Sequence, residues 1–182
     1  MSRLHTLASI EAAPAASQAL LEAAESEFGC PNLFRVIANS PAALEGYFGL
    51  SDALSKDTLD ASTHERIALT VAEINNCAYC LSAHIYLGRH VARLDDAEIT
   101  ANRSGASNDL KADAAVRFAA KVARERGHVS DRDIAAVKAA GYEDAQIIEI
   151  VAHVALNTLT NYINEVAKTE IDFPVVGLRK AG

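Results

Sequence analysis

Cys77 and Cys80 stand three residues apart, with His84 four residues after the second and Glu65 twelve before the first. Thiols, an imidazole and a carboxylate are the parts of a nucleophile, its base and a group that orients the base. If the chain is helical from Asn76 onward, Cys77, Cys80 and His84 share one face. Asn75 and Asn76 are good capping residues, which predicts that both cysteines lie in the first turn of that helix. Unpaired backbone amides and the helix macrodipole favour an anion there, so a thiolate forms more easily.

The two sulfurs are not equivalent. The dipole alone favours Cys77 as the attacking thiol, being nearer the amides. The base favours Cys80, because His84 lies one helical turn beyond it and a neutral imidazole takes a thiol proton near pH 7. On this balance Cys80 is the expected nucleophile and Cys77 the resolving thiol. A sulfenic acid on Cys80 would condense with Cys77, and a reductant would reopen the disulfide. Two plainer readings stand beside this one. A structural zinc site needs four ligands, and Cys77, Cys80 and His84 supply three; Cys30, Glu65 or His153 completes the set only through long-range folding. Alternatively, both cysteines are packing residues. The redox reading requires neither metal nor other cofactor.

The elements that position these groups read as helices. Ser62-Thr-His-Glu65 has the form of a capping box, giving Glu65 a structural role beside its reading as the orienter of His84. The helix that follows, from Thr63 to about Asn75, carries Ile67, Leu69, Val71 and Ile74 around most of its circumference, as a central helix does. The last long helix, from Glu143 to about Thr169, shows Ile148, Val151, Ala155, Leu159, Tyr162 and Val166 at spacings of three and four, a sustained packing stripe. His153, Asn157, Asn161 and Asn164 form a polar line on that helix. Its plain reading is a solvated face; the alternative is that it faces the site or a neighbouring subunit. Tyr79, between the cysteines, is a candidate to shield the site or hydrogen-bond across it. His5, His64, His90 and His128 read as surface residues, and Cys30 as a half-buried hydrophobe in a turn. Further helices are expected after Pro14, over Asn32 to Ala38, from Pro41 to about Ser55, after Asp95-Asp96, over Asp109 to Arg126, and from Ser130 to Gly141. With residues 1–13 as an arm and 170–182 as an extended tail stopped by Pro174, the expectation is one all-α domain over residues 1–182, a bundle of about eight or nine helices.

Composition excludes several classes. Half of the 182 residues are hydrophobic but only 5% are aromatic, and Ala, Leu, Ile and Val supply most of the apolar content, as in packed helices. The net charge of −7 and the scattering of single basic residues argue against a nucleic-acid partner. No apolar run approaches the ~18–20 residues of a membrane span, and the first twenty residues lack the pattern of a secretory signal. Three cysteines argue against a disulfide framework and for a cytoplasmic protein whose thiols do chemistry.

The order Glu65, Cys77-Ala-Tyr79-Cys80, His84 resembles the active-site motif of the alkyl hydroperoxidase D family, within the carboxymuconolactone decarboxylase-like superfamily. The stretches ERIALTVAEINNCAYC and NTLTNYINEVAKTEIDFP are similar to a subgroup of uncharacterised peroxidase-related proteins, and the likeness runs from about Pro31 to Pro174. The resemblance implies an all-α fold, assembly into trimers or hexamers, and a hydroperoxidase that uses thiols without haem or metal. It implies that Cys80 attacks the peroxide, Cys77 resolves, and His84 and Glu65 relay protons. One position departs: the best-studied members have an active-site histidine where this chain has Tyr79. Their electrons come from a dithiol on a lipoylated protein, the partner class the resemblance implies here. A lactone decarboxylase like the superfamily's namesake and a non-catalytic redox-sensing dithiol are the competing expectations. The first does not call for paired thiols.

Overall fold

The computed structural model describes residues 2–179, the side chains of residues 27 and 28 excepted. Over these residues the fold is all-α, with nine helices and no strand: α1 Ala15–Phe28, α2 Asn32–Ile37, α3 Pro41–Leu54, α4 Ala61–Ile74, α5 Ala78–His90, α6 Asp96–Asn102, α7 Leu110–Glu125, α8 Asp131–Ala139 and α9 Asp144–Ala167. No helix among the described residues is long and apolar enough to cross a membrane.

The central element is α4, which packs on α5, α6, α7 and α9. Its apolar residues point in two directions because a helix distributes successive side chains around its axis. Leu69 and Ala72 join a core with Leu21, Phe34, Leu44, Leu81 and Ile85. Ile67 and Val71 join a second core with Phe118, Val122, Val137 and Ile150. Ile67, Leu69 and Val71 are each fully buried, and burial of such a side chain stabilises by roughly 1.5–3 kcal/mol. A polar residue at any of them would open one of the two cores.

The start of α4 differs from the capping box expected at Ser62. Asp60 is the cap: its carboxylate accepts from Thr63 N at 2.8 Å and from Thr63 Oγ1 at 3.0 Å. The helix therefore begins at Ala61, Ser62 lies inside it, and its hydroxyl donates to Ala92 O instead. This shift releases Glu65 from the helix end.

The helix α9 inverts the expected pattern. Ile148, Leu159, Tyr162 and Val166 are exposed, whereas His153, Asn157, Asn161 and Asn164 are buried. The solvated-face reading of that polar line is thus overturned, and so is the inward reading of the apolar stripe. Periodicity identifies two faces of a helix but not which one meets the core. Here the inward face serves polar partners on α4, α5 and the α3–α4 link.

Beyond α9 the chain runs without regular structure over α5. Val176 N donates to Ser82 Oγ at 3.1 Å, Asp172 Oδ2 accepts from Asn32 N at 2.7 Å, and Phe173 packs edge-on against Tyr79.

Candidate active site

The turn from α4 into α5 sets the two sulfurs. Asn75 ends α4 and Asn76 takes a left-handed conformation at φ 53°, which asparagine tolerates better than most residues. Neither asparagine caps α5. Cys77 does so itself, its Sγ accepting from Cys80 N at 3.2 Å. Cys80 thus sits at the third helical position, within the turn where backbone amides face outward.

Cys77 Sγ lies 2.6 Å from Cys80 Sγ, with the Cys77 thiol donating to Cys80. Both residues are buried, and no described cysteine is in a disulfide. A closing movement of about half an ångström reaches the ~2.05 Å of a disulfide bond. The pair divides the ionisation between its members. The hydrogen bond from Cys77 stabilises a Cys80 thiolate against the cost of its burial, aided by the Asn164 amide and the charge of His84, and brings Cys80 down to about 7. Cys77, which gives up that hydrogen bond if it ionises and is buried beside a negative sulfur, is pushed well above the ordinary thiol range. Cys80 is thus selected by its partner sulfur first, by the Asn164 amide next and by the imidazole after that.

Asn164 Nδ2 donates to Cys80 Sγ at 3.2 Å from across the helix interface. Asn75 Nδ2 donates to Asn161 Oδ1 at 2.9 Å, which fixes the Asn161 carboxamide with its Nδ2 buried and unpartnered. Asn164 Oδ1 is likewise buried without a partner. These two amides belong to the site, so for them the alternative reading of the polar line, that it faces the site, replaces the plain one of a solvated face. Their signal was present in the polar line of α9, but its direction was not. Tyr47 on α3 gave no signal at all. Burial, with the charges of Cys80 and Glu65 adding to it, pushes its hydroxyl up to about 12, and its ring packs with Phe34 and Phe48.

His84 Nδ1 is 3.0 Å from Glu65 Oε2, and both side chains are half-buried. Burial pulls the imidazole down, but the Glu65 charge, its hydrogen bond and the Cys80 sulfur together raise it above its ordinary value. No hydrogen bond joins this ring to either sulfur among the described residues. The histidine favours the Cys80 thiolate through its charge.

Tyr79 does not reach across the site. Its hydroxyl accepts from Leu33 N at 3.1 Å and donates to Asp172 Oδ1 at 2.7 Å, tying α5 to α2 and to the tail. Its polar atom is consumed by this clamp. A pocket of about 660 Å³ lies beside it, lined by Ala78, Tyr79, Asn164, Lys168 and Thr169 among others. Asn164 lines this pocket and donates to Cys80, so one side chain connects the pocket with the sulfurs.

Cys30 is half-buried against the first core. His153 stands apart from the thiols: its Nε2 lies 2.8 Å from Asp57 Oδ2. His64, expected at the surface without a partner, has its Nε2 2.9 Å from Asp57 Oδ1. The structure therefore assembles Glu65, Cys77, Cys80 and His84, adds Asn161 and Asn164, and removes His153 to a different cluster.

Residues 41–125, from α3 to the end of α7, match the model of the carboxymuconolactone decarboxylase family. None of the curated proteins matches the chain. Among solved structures, an alkylhydroperoxidase AhpD core protein from Ralstonia eutropha JMP134, described as an uncharacterized peroxidase-related protein, superposes with a TM-score of 0.81 at 24% identity, covering 94% of this chain and 92% of that one. An uncharacterized peroxidase-related protein from Silicibacter sp. TM1040 gives 0.76 at 23% identity, over 86% and 85% of the two chains. The debrominase Bmp8 gives 0.73 at 18% identity, over 86% of each. At these identities the likeness establishes the fold.

Proposed function

We propose that the chain, whose residues 41–125 match the carboxymuconolactone decarboxylase family and whose fold is that of an alkylhydroperoxidase core, is a thiol-dependent peroxidase that reduces alkyl hydroperoxides or hydrogen peroxide. The observation that carries the reading is the 2.6 Å approach of Cys77 Sγ to a Cys80 sulfur held near pKa 7. The Cys80 thiolate attacks one peroxide oxygen; an S–O bond forms as the O–O bond breaks. The departing alkoxide or hydroxide takes a proton from His84, whose positive form Glu65 favours. The peroxide is held between imidazole and sulfur. Asn161 Nδ2 and Asn164 Oδ1 are free to hydrogen-bond it. Cys77 then attacks the sulfenic sulfur, the S–S bond forms, and the oxygen leaves as water. Two electrons have moved from the thiols to the peroxide.

A dithiol reductant, of the kind carried by a lipoylated protein, must reopen the disulfide; a reducing cytoplasm supplies the compartment. The homo-oligomer expected for this class, a trimer or hexamer, has a surface on which to form. The exposed Val151, Leu159, Tyr162 and Val166 line an apolar groove of about 740 Å³ along α9, and patches of this kind mark contact sites. Molar mass in solution from light scattering tests that part separately.

Steady-state peroxide consumption with a panel of reductants, dihydrolipoamide among them, tests the enzyme. Turnover abolished in Cys80→Ser is the expected result. A single stoichiometric oxidation without turnover assigns the thiols to redox sensing instead. Turnover of a brominated pyrrole in place of peroxide reassigns them to dehalogenation, the activity named for the debrominase neighbour.

A further inference from the structure

Asp57, His64 and His153 come from three places in the chain: the α3–α4 link, the first turns of α4, and the middle of α9. They converge on one point. Asp57 presents one carboxylate oxygen to each imidazole, Oδ1 to His64 Nε2 at 2.9 Å and Oδ2 to His153 Nε2 at 2.8 Å. The two rings stack with centroids 4.2 Å apart and planes 28° from parallel, so both Nε2 edges turn the same way. One ligand atom from each residue can be chosen so that all lie within 4.8 Å of one another.

A hydrogen-bonded strut would explain one histidine on a buried aspartate. It does not explain the second, stacked on the first. Two imidazoles and one carboxylate turned to a common point match the donor set of a divalent transition metal. At metal–ligand distances of about 2.0–2.1 Å, neighbouring donors in a tetrahedral shell stand about 3.3 Å apart. Each N···O pair here therefore needs to open by only about half an ångström, within the reach of side-chain rotation. We propose that Asp57, His64 and His153 bind a zinc-type divalent transition-metal ion, with the remaining coordination position open to solvent.

Further observations support a built site. The backbone around Asp57 is already fixed: Oδ1 also accepts from Leu59 N at 3.0 Å, and Thr58 Oγ1 donates to Glu149 Oε2 at 2.8 Å. Glu149 lies one turn before His153 on α9, so the α3–α4 link is held to the same helix twice. Asp57 and His153 side chains are 4% and 7% exposed, but that of His64 is 20% exposed. The cluster therefore meets solvent on the His64 side. Imidazole and carboxylate donors favour zinc or similar first-row ions over calcium or magnesium, which take oxygen ligands. The site shares no residue with the thiols, and the ion lies outside the thiol cycle proposed above.

The test is zinc binding to the whole chain, first stripped with a chelator and then passed through a desalting column. Because thiols bind zinc too, the measurement is made on the Cys77→Ser/Cys80→Ser double variant as well as on the parent. The expected result is about one zinc per chain in both, with a zinc-dependent rise in the thermal midpoint. Both should be lost in His64→Gln added to the double variant, its far-UV circular dichroism being unchanged. Cobalt(II) in the same variant should give ligand-field absorption without thiolate charge-transfer bands. The proposal is overturned if the folded double variant retains no stoichiometric zinc. Undiminished retention in the folded His64→Gln variant overturns it equally. His64 is the choice because it is the most exposed of the three and its loss least endangers folding; Asp57→Asn provides the second variant on the same criteria.

Discussion

Two histidines that meet carboxylates on this scaffold, His84 and His153, behave oppositely. His84 meets Glu65 at 3.0 Å, and His153 meets Asp57 at 2.8 Å. Both lose hydration, which disfavours a charged imidazole, and both gain a carboxylate. The balance differs. At His84 the charge and hydrogen bond of Glu65, with the Cys80 sulfur adding to them, outweigh burial, and its pKa rises. His153 is stacked on His64, and burial together with that neighbour's charge outweighs Asp57 and lowers it. The lesson is that a hydrogen-bonded pair does not by itself fix a protonation state; burial and the remaining neighbours are weighed against the carboxylate.

The largest expected effect is at the first region. Cys80→Ser should lower peroxide turnover by about 10³-fold or more, since no other described group supplies the nucleophile. Cys77→Ser should instead stop after one turnover and leave a Cys80 sulfenic acid that dimedone traps; trapping at position 77 in the wild type would reverse the roles. At the second region the expected effect is on stability. His153→Leu in metal-free protein leaves Asp57 buried with fewer donors and should cost about 2–3 kcal/mol by urea denaturation. An equal loss from His84→Leu, whose carboxylate is less buried, would erase the distinction drawn between the pairs.

Glu65→Gln keeps the shape of the first pair but removes its charge. Turnover should fall about 10²-fold, the scale of general acid–base catalysis, with peroxide KM little changed. Asn164→Leu removes a hydrogen bond that favours the Cys80 thiolate. Reactivity toward iodoacetamide should rise with pH as Cys80 ionises, with its midpoint at about 7. In the variant that midpoint should move up by about one pH unit or more, a loss of roughly fivefold or more at neutral pH. The smallest effect is the most pointed. By NMR titration of the metal-free chain, His84 should titrate above 6.5 and His153 below it. His64→Gln should raise His153 and leave His84 in place; an unmoved His153 would show that burial alone sets it.

Much of the fold was legible from residue types. Pro41 after Ser40 begins α3, Asp109 caps α7, and Ser130 with Asp133 forms the capping box of α8. These signals act within one turn, so the local chain contains the whole cause. The failures came where two local signals competed or where direction was needed. Asp60 and Ser62 are both good caps, and only Asp60 reaches the free amide of Thr63. Asn76 looked like a cap but serves as the left-handed hinge, leaving Cys77 to cap its own helix.

The spacing of Cys80 and His84 by itself determined that a thiol and an imidazole stand one turn apart on one helix face, because helical geometry is the same in any protein; Cys77 lies just outside that helix as its cap. Tertiary structure alone decided the rest. It turned the asparagine line of α9 inward onto Cys80, brought Glu65 to His84, and carried His153 away to Asp57 and His64. These contacts join residues 19 to 96 positions apart. Local periodicity specifies the faces of a helix; only packing specifies which faces meet.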